Sequence, residues 1–400
     1  MTASLSRATD IVVDARLSEI EADPYPLYAW MRRECPIAWV PETERLWVTT
    51  HRLCREAGDN DTVFGPTQEV FGLVYGRPNV MSLMGDDHLE ARAPLDARFR
   101  PRAVSGYVDS GLRATAVRYI DEIRERGAAE INGELLEPIS LRAVGEVLGF
   151  SDVDDATLSR WFRALGEYLV DHGRTPEISA AGEAVKDEIR ADLEGRLDDF
   201  RRCPDDSALS LMFTHGMPDG QLRSIEELIG TVALTIVGGF QEPAHGTASA
   251  LLGLLGRPEQ AAAVAADPPS LSAKVIHEGL RWEAPFNMTE KLTTENVELG
   301  GMLIPAGTEI ALCLGSANRD QTVFEDPDVY DLHRPRHTHV SFGYGVHLCV
   351  GHYVARQLGK VCVEELFARL PGLRLDPDRA PVVHGWAVRA AKSLPVLWDA

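Results

Sequence analysis

The segment FGYGVHLCVG, residues 342–351, constrains this chain more than any other part of the sequence. Gly343 and Gly345 predict a flexible turn ahead of Cys349, and a helical pattern follows directly. The pattern predicts Cys349 at a helix start, where unpaired backbone N–H groups and the helix dipole stabilise a thiolate. Gly351 carries no side chain, which leaves room for a flat cofactor to approach. This segment, called the cysteine loop below, predicts a metal-ligating thiolate.

A buried structural cysteine after a glycine turn is the alternative interpretation of the loop. We interpret Cys313 and Cys362 in that way. The six cysteines show no CxxC spacing and no dense framework, which fits a reducing cytoplasm; they are Cys35, Cys54, Cys203, Cys313, Cys349 and Cys362.

Composition and charge predict a soluble chain that binds neither nucleic acid nor membrane. Of the 400 residues 44% are hydrophobic, and the formal net charge is −21. The N-terminal stretch lacks a continuous apolar region, and the most apolar run, Leu228 to Phe240, is too short to span a bilayer. Because no linker or repeat interrupts the sequence, we expect one domain over residues 1–400 in the cytoplasm.

Hydrophobic periodicity predicts a mainly α protein with a small β region. Apolar spacing of three and four residues predicts helices at Pro24–Arg33, Leu112–Arg126, Asp154–Val170, Glu183–Phe200, Ser224–Leu255 and Val350–Leu370. Alternating patterns between turn residues predict strands at Leu46–Thr50, Val297–Leu299, Met302–Ile304 and Glu309–Leu314, with further strands within Val382–Trp398.

The sequence resembles the cytochrome P-450 superfamily of haem-thiolate monooxygenases over nearly its whole length. The motifs that carry the resemblance are DPYPLYAWMRRECPI near the start, HLEAR at His88–Arg92, FRP at Phe99–Pro101, EGLR at Glu278–Arg281, RP at Arg334-Pro335 and the cysteine loop. The resemblance implies the triangular, mainly α P-450 fold. It also implies haem b as cofactor, with Cys349 as the iron ligand that favours O–O cleavage.

The same resemblance implies which residues hold the haem. Cationic partners for its two propionates would be His88, Arg92 and His347, and Lys291 stands where the family usually has arginine. A lysine supplies the charge but not the bidentate fork. The remaining cofactor-binding residues lie in the cysteine loop: Phe342, Gly343 and Gly351. A solvated surface cation is the alternative for each basic residue taken singly.

Glu278 and Arg281 are three residues apart and fall on one helix face. An ordinary surface ion pair of this kind contributes little stability. The resemblance implies instead a buried triad of Glu278, Arg281 and Arg334 that holds the structure and does no chemistry.

The apolar stretch TVALTIVGGFQEPAHGTASALLGLL predicts a long buried helix interrupted at Gly238-Gly239 and Pro243. Proline within a helix removes an N–H and frees the carbonyl four residues earlier, which opens a gap where O2 and water fit. Two helices placed end to end are the alternative. The resemblance implies an acid and an alcohol at this place in the helix, which deliver protons to bound O2. Gln241 and Glu242 stand at those two positions here, so Glu242 is the candidate proton donor. The catalytic candidates are Gln241, Glu242 and Pro243.

The Gln-Glu-Pro variant, with EGLRW and GSANRD downstream, resembles a bacterial group that O-demethylates guaiacol-type methoxyphenols during lignin-monomer breakdown. That resemblance implies a small, apolar pocket for an aromatic substrate such as guaiacol or a 4-alkylguaiacol. The candidate pocket residues are Tyr75, Met81, Leu169, Leu234, Val237, Gly238, Met288, Thr289 and Val388. Ordinary core packing is the alternative for each of them.

Residues 332–363 contain no Asp or Glu, although the chain has 61 acidic residues. This basic region predicts a docking face for an electron donor, either a ferredoxin or an iron–sulfur/flavin reductase; a solvated basic helix is the alternative. Because no Rossmann or flavin fingerprint occurs, NAD(P)H electrons would come through that separate protein. Two other functions stay open: hydroxylation of a larger natural product, and a haem sensor or binding protein without turnover.

Overall fold

The computed structural model describes residues 7–67, 72, 74–171 and 175–400, so the first six residues of the N-terminal stretch lie outside the described part. Most of the described residues are helical, as the periodicity predicts. The α-helices are α1 Leu17–Ala22, α2 Tyr25–Glu34, α3 His51–Gly58, α4 Gly85–Phe99, α5 Pro101–Tyr107, α6 Ala114–Ile123, α7 Glu137–Leu148, α8 Asp155–Val170, α9 Pro176–Arg202, α10 Ala208–Thr214, α11 Ile225–Phe240, α12 Glu242–Leu255, α13 Pro258–Ala266, α14 Pro268–Trp282, α15 Leu314–Ala317 and α16 His352–Arg369. No helix in these ranges is both long and apolar enough to cross a membrane.

The strands are short and form small sheets. They are β1 Ile37–Val40, β2 Arg45–Val48, β3 Phe64–Gly65, β4 Ala128–Glu130, β5 Thr289–Thr293, β6 Val297–Leu299, β7 Met302–Ile304, β8 Glu309–Leu312, β9 Arg374–Leu375, β10 Val382–His384, β11 Ala390–Ser393 and β12 Pro395–Leu397. The largest sheet has the order β1-β2-β8-β5-β3, in which only β2 and β8 are parallel. Lys291 lies on β5 opposite Ile310 of β8, so the sheet fixes its position.

The long apolar stretch forms two successive helices, α11 and α12, rather than one kinked helix. Ser224 caps α11 through a capping box with Glu227, which satisfies the first free N–H groups. The helical path is interrupted at Gln241, and Pro243 lies in the first turn of α12. A proline is tolerated there because the N–H that it lacks has no partner within the helix. The end-to-end alternative is therefore the one found.

Helix α12 packs closely against α14 and α16 because glycines face it. A Cβ on Gly279 of α14 would lie 2.2 Å from the Ala250 Cβ, and one on Gly359 of α16 would lie 2.9 Å from the Thr247 hydroxyl. Both distances are shorter than real Cβ contacts, so larger side chains would push the helices apart. This close packing fixes α16, and with it the cysteine loop that precedes it, relative to α12.

The other sequence predictions differ from the structure mainly at their ends. The helix predicted at Glu183–Phe200 is longer at both ends, as α9 shows. The one predicted at Leu112–Arg126 is shorter, because a π-helical turn at Val108–Arg113 and a 3-10 turn at Arg124–Arg126 flank α6. Mainly α architecture with a small β region is confirmed.

Candidate functional site

The cysteine loop is a tight turn closed by its own backbone. The Cys349 N–H donates to the Phe342 carbonyl at 2.9 Å, and the Gly343 N–H donates to the Val340 carbonyl at 2.9 Å. Gly343 has φ +77° and Gly345 has φ +60°, conformations that other residues adopt only with strain. The loop therefore needs its two glycines to hold Cys349 in place.

Cys349 lies just before α16 rather than at its first turn, because the helix begins at His352. Burial raises the pKa of the Cys349 thiol above its ordinary value, although the Gly351 N–H, Arg92 and Arg356 favour the thiolate. Cys349 is exposed to solvent, but the protein atoms around it still remove enough water to disfavour the thiolate. The Gly351 N–H therefore favours the thiolate, as predicted, but desolvation has the larger effect on the pKa of Cys349.

The structure brings together the four predicted propionate partners. The rings of His88 and His347 have centroids 4.4 Å apart. Burial lowers the pKa of His347 to about 3, with His88, Lys291 and Arg92 acting on it in the same direction. Residues from α4, β5 and the cysteine loop thus form one cluster of basic groups.

Arg92 does more than supply charge to this cluster. Its guanidinium donates to the carbonyl of Leu348 at 2.7 Å and to that of Val346 at 3.2 Å, and it pairs with Asp96 at 3.0 Å. Arg92 therefore fastens the cysteine loop to α4. The sequence predicted only a propionate-binding role for Arg92.

The basic cluster fits an anionic ligand. The Nε2 atom of His88 and both ring nitrogens of His347 are buried without a hydrogen-bond partner among the described residues. Buried polar atoms are rarely left without partners, because each costs about 1–3 kcal/mol in desolvation. A carboxylate placed here could accept a hydrogen bond from the N–H of each ring.

The junction of α11 and α12 provides the other face of the site. A Cβ at Gly238 would meet nothing within 4 Å, so this glycine borders open space. Glu242 has one carboxyl oxygen buried without a partner among the described residues, and burial raises its pKa to about 7. Glu242 also acts electrostatically on Cys349, and its negative charge helps to raise the pKa of the thiol.

Thr247, the first threonine after the α11–α12 junction, does not provide an alcohol at the junction itself. Its hydroxyl donates to the Pro243 carbonyl at 2.8 Å, within α12. The side chain is buried against α16 rather than at the helix junction.

The candidate pocket residues fall into more than one part of the core. Tyr75 and Val237 are buried in the large helical cluster, and Leu169 and Leu234 pack against it. Met288 belongs to a second cluster with Trp386, while Val388 forms a bridge with Phe286, two residues before Met288. Met81 and Thr289 are half-buried. Their role in binding substrate stays a prediction.

The predicted triad is present and buried. Arg281 donates to both carboxyl oxygens of Glu278, at 2.8 and 2.7 Å, and Arg334 donates to Glu278 at 3.1 Å. Arg281 also donates to backbone carbonyls at residues 318, 327 and 329. These bonds connect α14 to the chain that leads to the cysteine loop, so the triad is structural.

Sequence reasoning missed two residues near the α11–α12 junction. His245 of α12 lies 3.3 Å from Glu137 of α7, joined through its Nε2 atom. A histidine three residues after a buried glutamate is a signal that the sequence did contain. Its partner Glu137 is 108 positions away and was not detectable without the fold.

A cysteine thiol, a buried basic cluster with unpartnered nitrogens and a glycine-lined space fit one kind of group. They suit an iron porphyrin whose propionates meet the basic cluster and whose iron faces Cys349. The site thus defines a haem-thiolate protein.

The chain belongs to the cytochrome P450 family. The family model described as Cytochrome P450 matches residues 270–371. Cytochrome P450 107B1 of Saccharopolyspora erythraea is 32% identical over 349 residues, which cover 83% of each protein. Nocardicin C N-oxygenase of Nocardia uniformis subsp. tsuyamanensis is 30% identical over 95% of this chain and 96% of its own.

Solved structures give the same result for the fold. The crystal structure of CalO2 superposes with a TM-score of 0.86 and 27% identity, over 96% of this chain and 97% of that one. The predicted P450 fold is confirmed, and so is a monooxygenase that uses haem b. Electrons come from NAD(P)H through separate redox partners, as is general in the family.

Proposed function

We propose that this monooxygenase removes the methyl group of guaiacol-type methoxyphenols, in the cytoplasm, and that Glu242 donates protons to the reaction. The observation that carries the proposal is the Gln241-Glu242-Pro243 junction. One carboxyl oxygen of Glu242 is buried there without a partner among the described residues, and Gly238 borders open space. Haem with bound thiolate supplies O2 activation and insertion of one oxygen atom into the methoxy C–H bond. The chain itself positions the ring and supplies protons.

The overall reaction balances with two electrons and two protons. A methoxyphenol, O2, two electrons and two protons give a catechol, formaldehyde and water. The hydroxylated methoxy group is a hemiacetal, which collapses by breaking its C–O bond to release formaldehyde. On α11, Val237 is buried and Leu234 is partly buried. Both side chains offer the apolar surface that a one-ring substrate requires.

Substrate preference should follow pocket size. Leu169 and Val388 stand where we expect phenylalanine in guaiacol enzymes, so a short 4-alkyl group should be accommodated. Each added CH2 should contribute about 0.8 kcal/mol, or about fourfold in Kd, until the space is filled. A titration of the Soret spin shift with guaiacol, 4-methylguaiacol and 4-ethylguaiacol measures this, with 4-ethylphenol as a control that binds but yields no formaldehyde.

Formaldehyde and catechol formed with a competent reductase test the reaction itself. Leu169→Phe and Val388→Phe should each weaken 4-ethylguaiacol binding more than guaiacol binding. If methoxyphenols give neither a spin shift nor formaldehyde, while a large polycyclic compound gives both a shift and a hydroxylated product, the demethylase proposal is wrong. That result would favour the second candidate, oxidation of a larger natural product, which the name of the Nocardicin C N-oxygenase relative supports.

Glu242→Gln should lower coupled turnover and divert electrons to hydrogen peroxide. A protonated carboxyl is the donor, and with a pKa of about 7 its population falls as pH rises through neutrality. Wild-type coupling should therefore decline above about pH 7, and the variant should lose this limb of the profile. Peroxide and product measured against NADH consumed give the coupling; unchanged coupling at every pH would show that protons travel elsewhere.

A further inference from the structure

Two short stretches of the chain, residues 285–289 and 385–389, meet and carry predicted pocket residues. Residue 287 donates its N–H to the carbonyl of residue 387 at 2.9 Å, and residue 389 donates its N–H to the carbonyl of residue 285 at 2.8 Å. Phe286 and Val388 lie opposite each other between these two bonds. This pairing, called the pocket bridge below, carries Val388 on one side and leads directly to Met288 and Thr289 on the other.

The pocket bridge is too small to hold its own position. It is a single residue pair just before strands β5 and β11, which belong to different sheets. Phe286 is 36% exposed and Val388 is half-buried, so their side chains are only partly packed. Two-stranded pairings are marginally stable by themselves. The position of the bridge therefore depends on the groups that hold the chain at its ends.

Arg389 anchors one end of the pocket bridge in the protein interior. Its side chain is 5% exposed, and its Nε atom donates to the Glu283 carboxylate at 3.0 Å. The two terminal nitrogens of the guanidinium donate to the backbone carbonyls of Glu21, Ala22 and Gly385, at 2.9, 3.1 and 3.0 Å. Glu21 and Ala22 lie in the last turn of α1, where carbonyls lack partners within the helix. Arg389 therefore ties the bridge both to α1 and to the end of α14.

Glu283 carries the charge that pairs with Arg389, and two other side chains hold it in turn. The Tyr25 hydroxyl donates to the same carboxyl oxygen at 2.5 Å, and the Arg319 guanidinium lies 3.6 Å from the other oxygen. Burial and the charge of Glu283 raise the pKa of Tyr25, so its hydroxyl remains a donor at neutral pH. A buried carboxylate is unfavourable unless it is paired and hydrogen-bonded. These partners meet that need and give Glu283 a fixed position.

Gly385 makes the turn that brings Arg389 back to α1. Its φ is +109°, and a Cβ there would lie 2.1 Å from the Val388 carbonyl oxygen. The Gly385 N–H donates to the Glu21 carbonyl at 3.0 Å. Because the turn is this tight, a shift of the Arg389 side chain is transmitted to the backbone of Val388.

We propose that Glu283 and Arg389 position the pocket bridge and thereby determine how closely an aromatic ring is held beside the haem iron. The inference rests on the pocket that the proposed function describes, and it adds the residues that fix one wall of that pocket. Glu283 and Arg389 are positioning residues, because their side chains are buried in the cluster just described and act through Val388. A displacement of about 1 Å in such a wall costs up to about a hundredfold in rate.

Arg389→Lys tests the proposal, because lysine keeps the positive charge but lacks the guanidinium fork that reaches three carbonyls. The probes are imidazole and 4-phenylimidazole, which both ligate the iron of the holoprotein through nitrogen and shift its Soret band. Only the second probe places a phenyl ring against the pocket wall. We expect its Kd to rise about tenfold, because a displaced wall loses contact with the ring or collides with it. The Kd of imidazole should stay at the wild-type value.

Hydrogen exchange gives a readout that needs no ligand. The N–H groups of residues 287 and 389 are bonded across the pocket bridge, so their exchange reports its opening. In Arg389→Lys both groups should exchange faster than in the wild type, while N–H groups within α16 keep their rates. A general loss of stability would instead accelerate exchange in α16 as well.

Arg142→Lys is the matched control, since Arg142 makes the same kind of contacts elsewhere. Its side chain is 8% exposed, and its Nε atom donates to Asp155 at 2.6 Å. Its terminal nitrogens donate to the backbone carbonyls of residues 151 and 153, at 3.4 and 2.6 Å. These contacts join α7 to α8 and involve no residue of the pocket bridge. The control variant should keep the wild-type Kd for both probes and the wild-type exchange at residues 287 and 389, even with a lower Tm.

Glu283→Gln provides a second variant if Arg389→Lys does not fold. Glutamine keeps an acceptor for Tyr25 and Arg389 but removes the negative charge, so the same change in 4-phenylimidazole binding and in exchange is expected. Wild-type binding of 4-phenylimidazole in the variant that folds would overturn the proposal. Equal weakening of both probes, with faster exchange in α16, would also overturn it and leave only a contribution to stability.

These readouts do not depend on demethylation. If the wild type ignores methoxyphenols but its Arg389→Lys variant shows both expected changes, the proposed function is wrong and the positioning role of Glu283 and Arg389 is supported. If methoxyphenols are demethylated and the variant behaves like the wild type, the proposed function is supported and the positioning role is wrong.

Discussion

Replacing Cys349 by alanine should abolish the thiolate-type spectrum of the ferrous CO complex and, with it, product formation. The cysteine loop presents one sulfur to the site, and both the Gly351 N–H and Arg92 favour its ionised form. An alanine leaves the iron without a thiolate, so electron density that favours O–O cleavage is lost. The Soret band of the reduced, CO-bound protein measures this directly.

Cys362→Ala is the matched control, since Cys362 is buried on α16 thirteen positions later in the same helix-loop unit. Burial raises the pKa of the Cys362 thiol to about 12, so it is not a thiolate. Its alanine variant should keep the wild-type spectrum. A Cys349→Ala protein with an unchanged spectrum would contradict the assignment of the iron ligand.

The second large effect is expected at Arg281. This side chain is 1% exposed and bonds both oxygens of Glu278 as well as three backbone carbonyls. Arg281→Met removes the charge and leaves buried Glu278 with Arg334 and the Asp331 N–H as its remaining donors among the described residues. Breaking a buried pair in this way costs about 3–5 kcal/mol of unfolding free energy. Denaturant unfolding of the holoprotein measures the loss.

An exposed pair on α3 provides the control. Arg52 and Glu56 are 2.9 Å apart with side chains 72% and 49% exposed. Arg52→Met should cost less than about 1 kcal/mol, because solvent screens such pairs. If the two substitutions lower the free energy of unfolding equally, the buried triad stabilises the fold no more than an exposed ion pair does.

The basic region of residues 332–363 is the predicted docking face for an electron donor. Arg356 lies 4.6 Å over the Phe342 ring, and its Nε atom is buried without a partner among the described residues. Burial lowers the pKa of Arg356. Part of the basic region is thus committed to the cysteine loop, and the remaining exposed cations are the ones available to a partner.

Local signals were enough to predict the helices and the cysteine loop. Apolar periodicity depends on neighbours within one or two turns, and positive φ at Gly343 and Gly345 is a property of those two positions. Helix ends were less well predicted, as at α9. The apolar spacing of the sequence continues into turns that are not α-helical, so it does not mark where a helix ends. The capping residues decide that boundary.

Whether α11 and α12 form one helix or two depended on more than the sequence. The same residues, Gly238 to Pro243, suit both a kinked helix and two helices end to end. The folded backbone decided between them, because the helical path is interrupted at Gln241 and Pro243 lies in the first turn of α12.

The sequence by itself determined the family, and it predicted the cysteine that would ligate the iron and most of the basic groups near it. Only the tertiary structure decided that Arg92 fastens the cysteine loop and that Glu137 meets His245. It also decided that the His88 and His347 rings lie 4.4 Å apart, with buried nitrogens that have no partner among the described residues. The reason is physical. A motif records which chemical groups are present, but a contact between residues 108 positions apart exists only when α7 and α12 pack together.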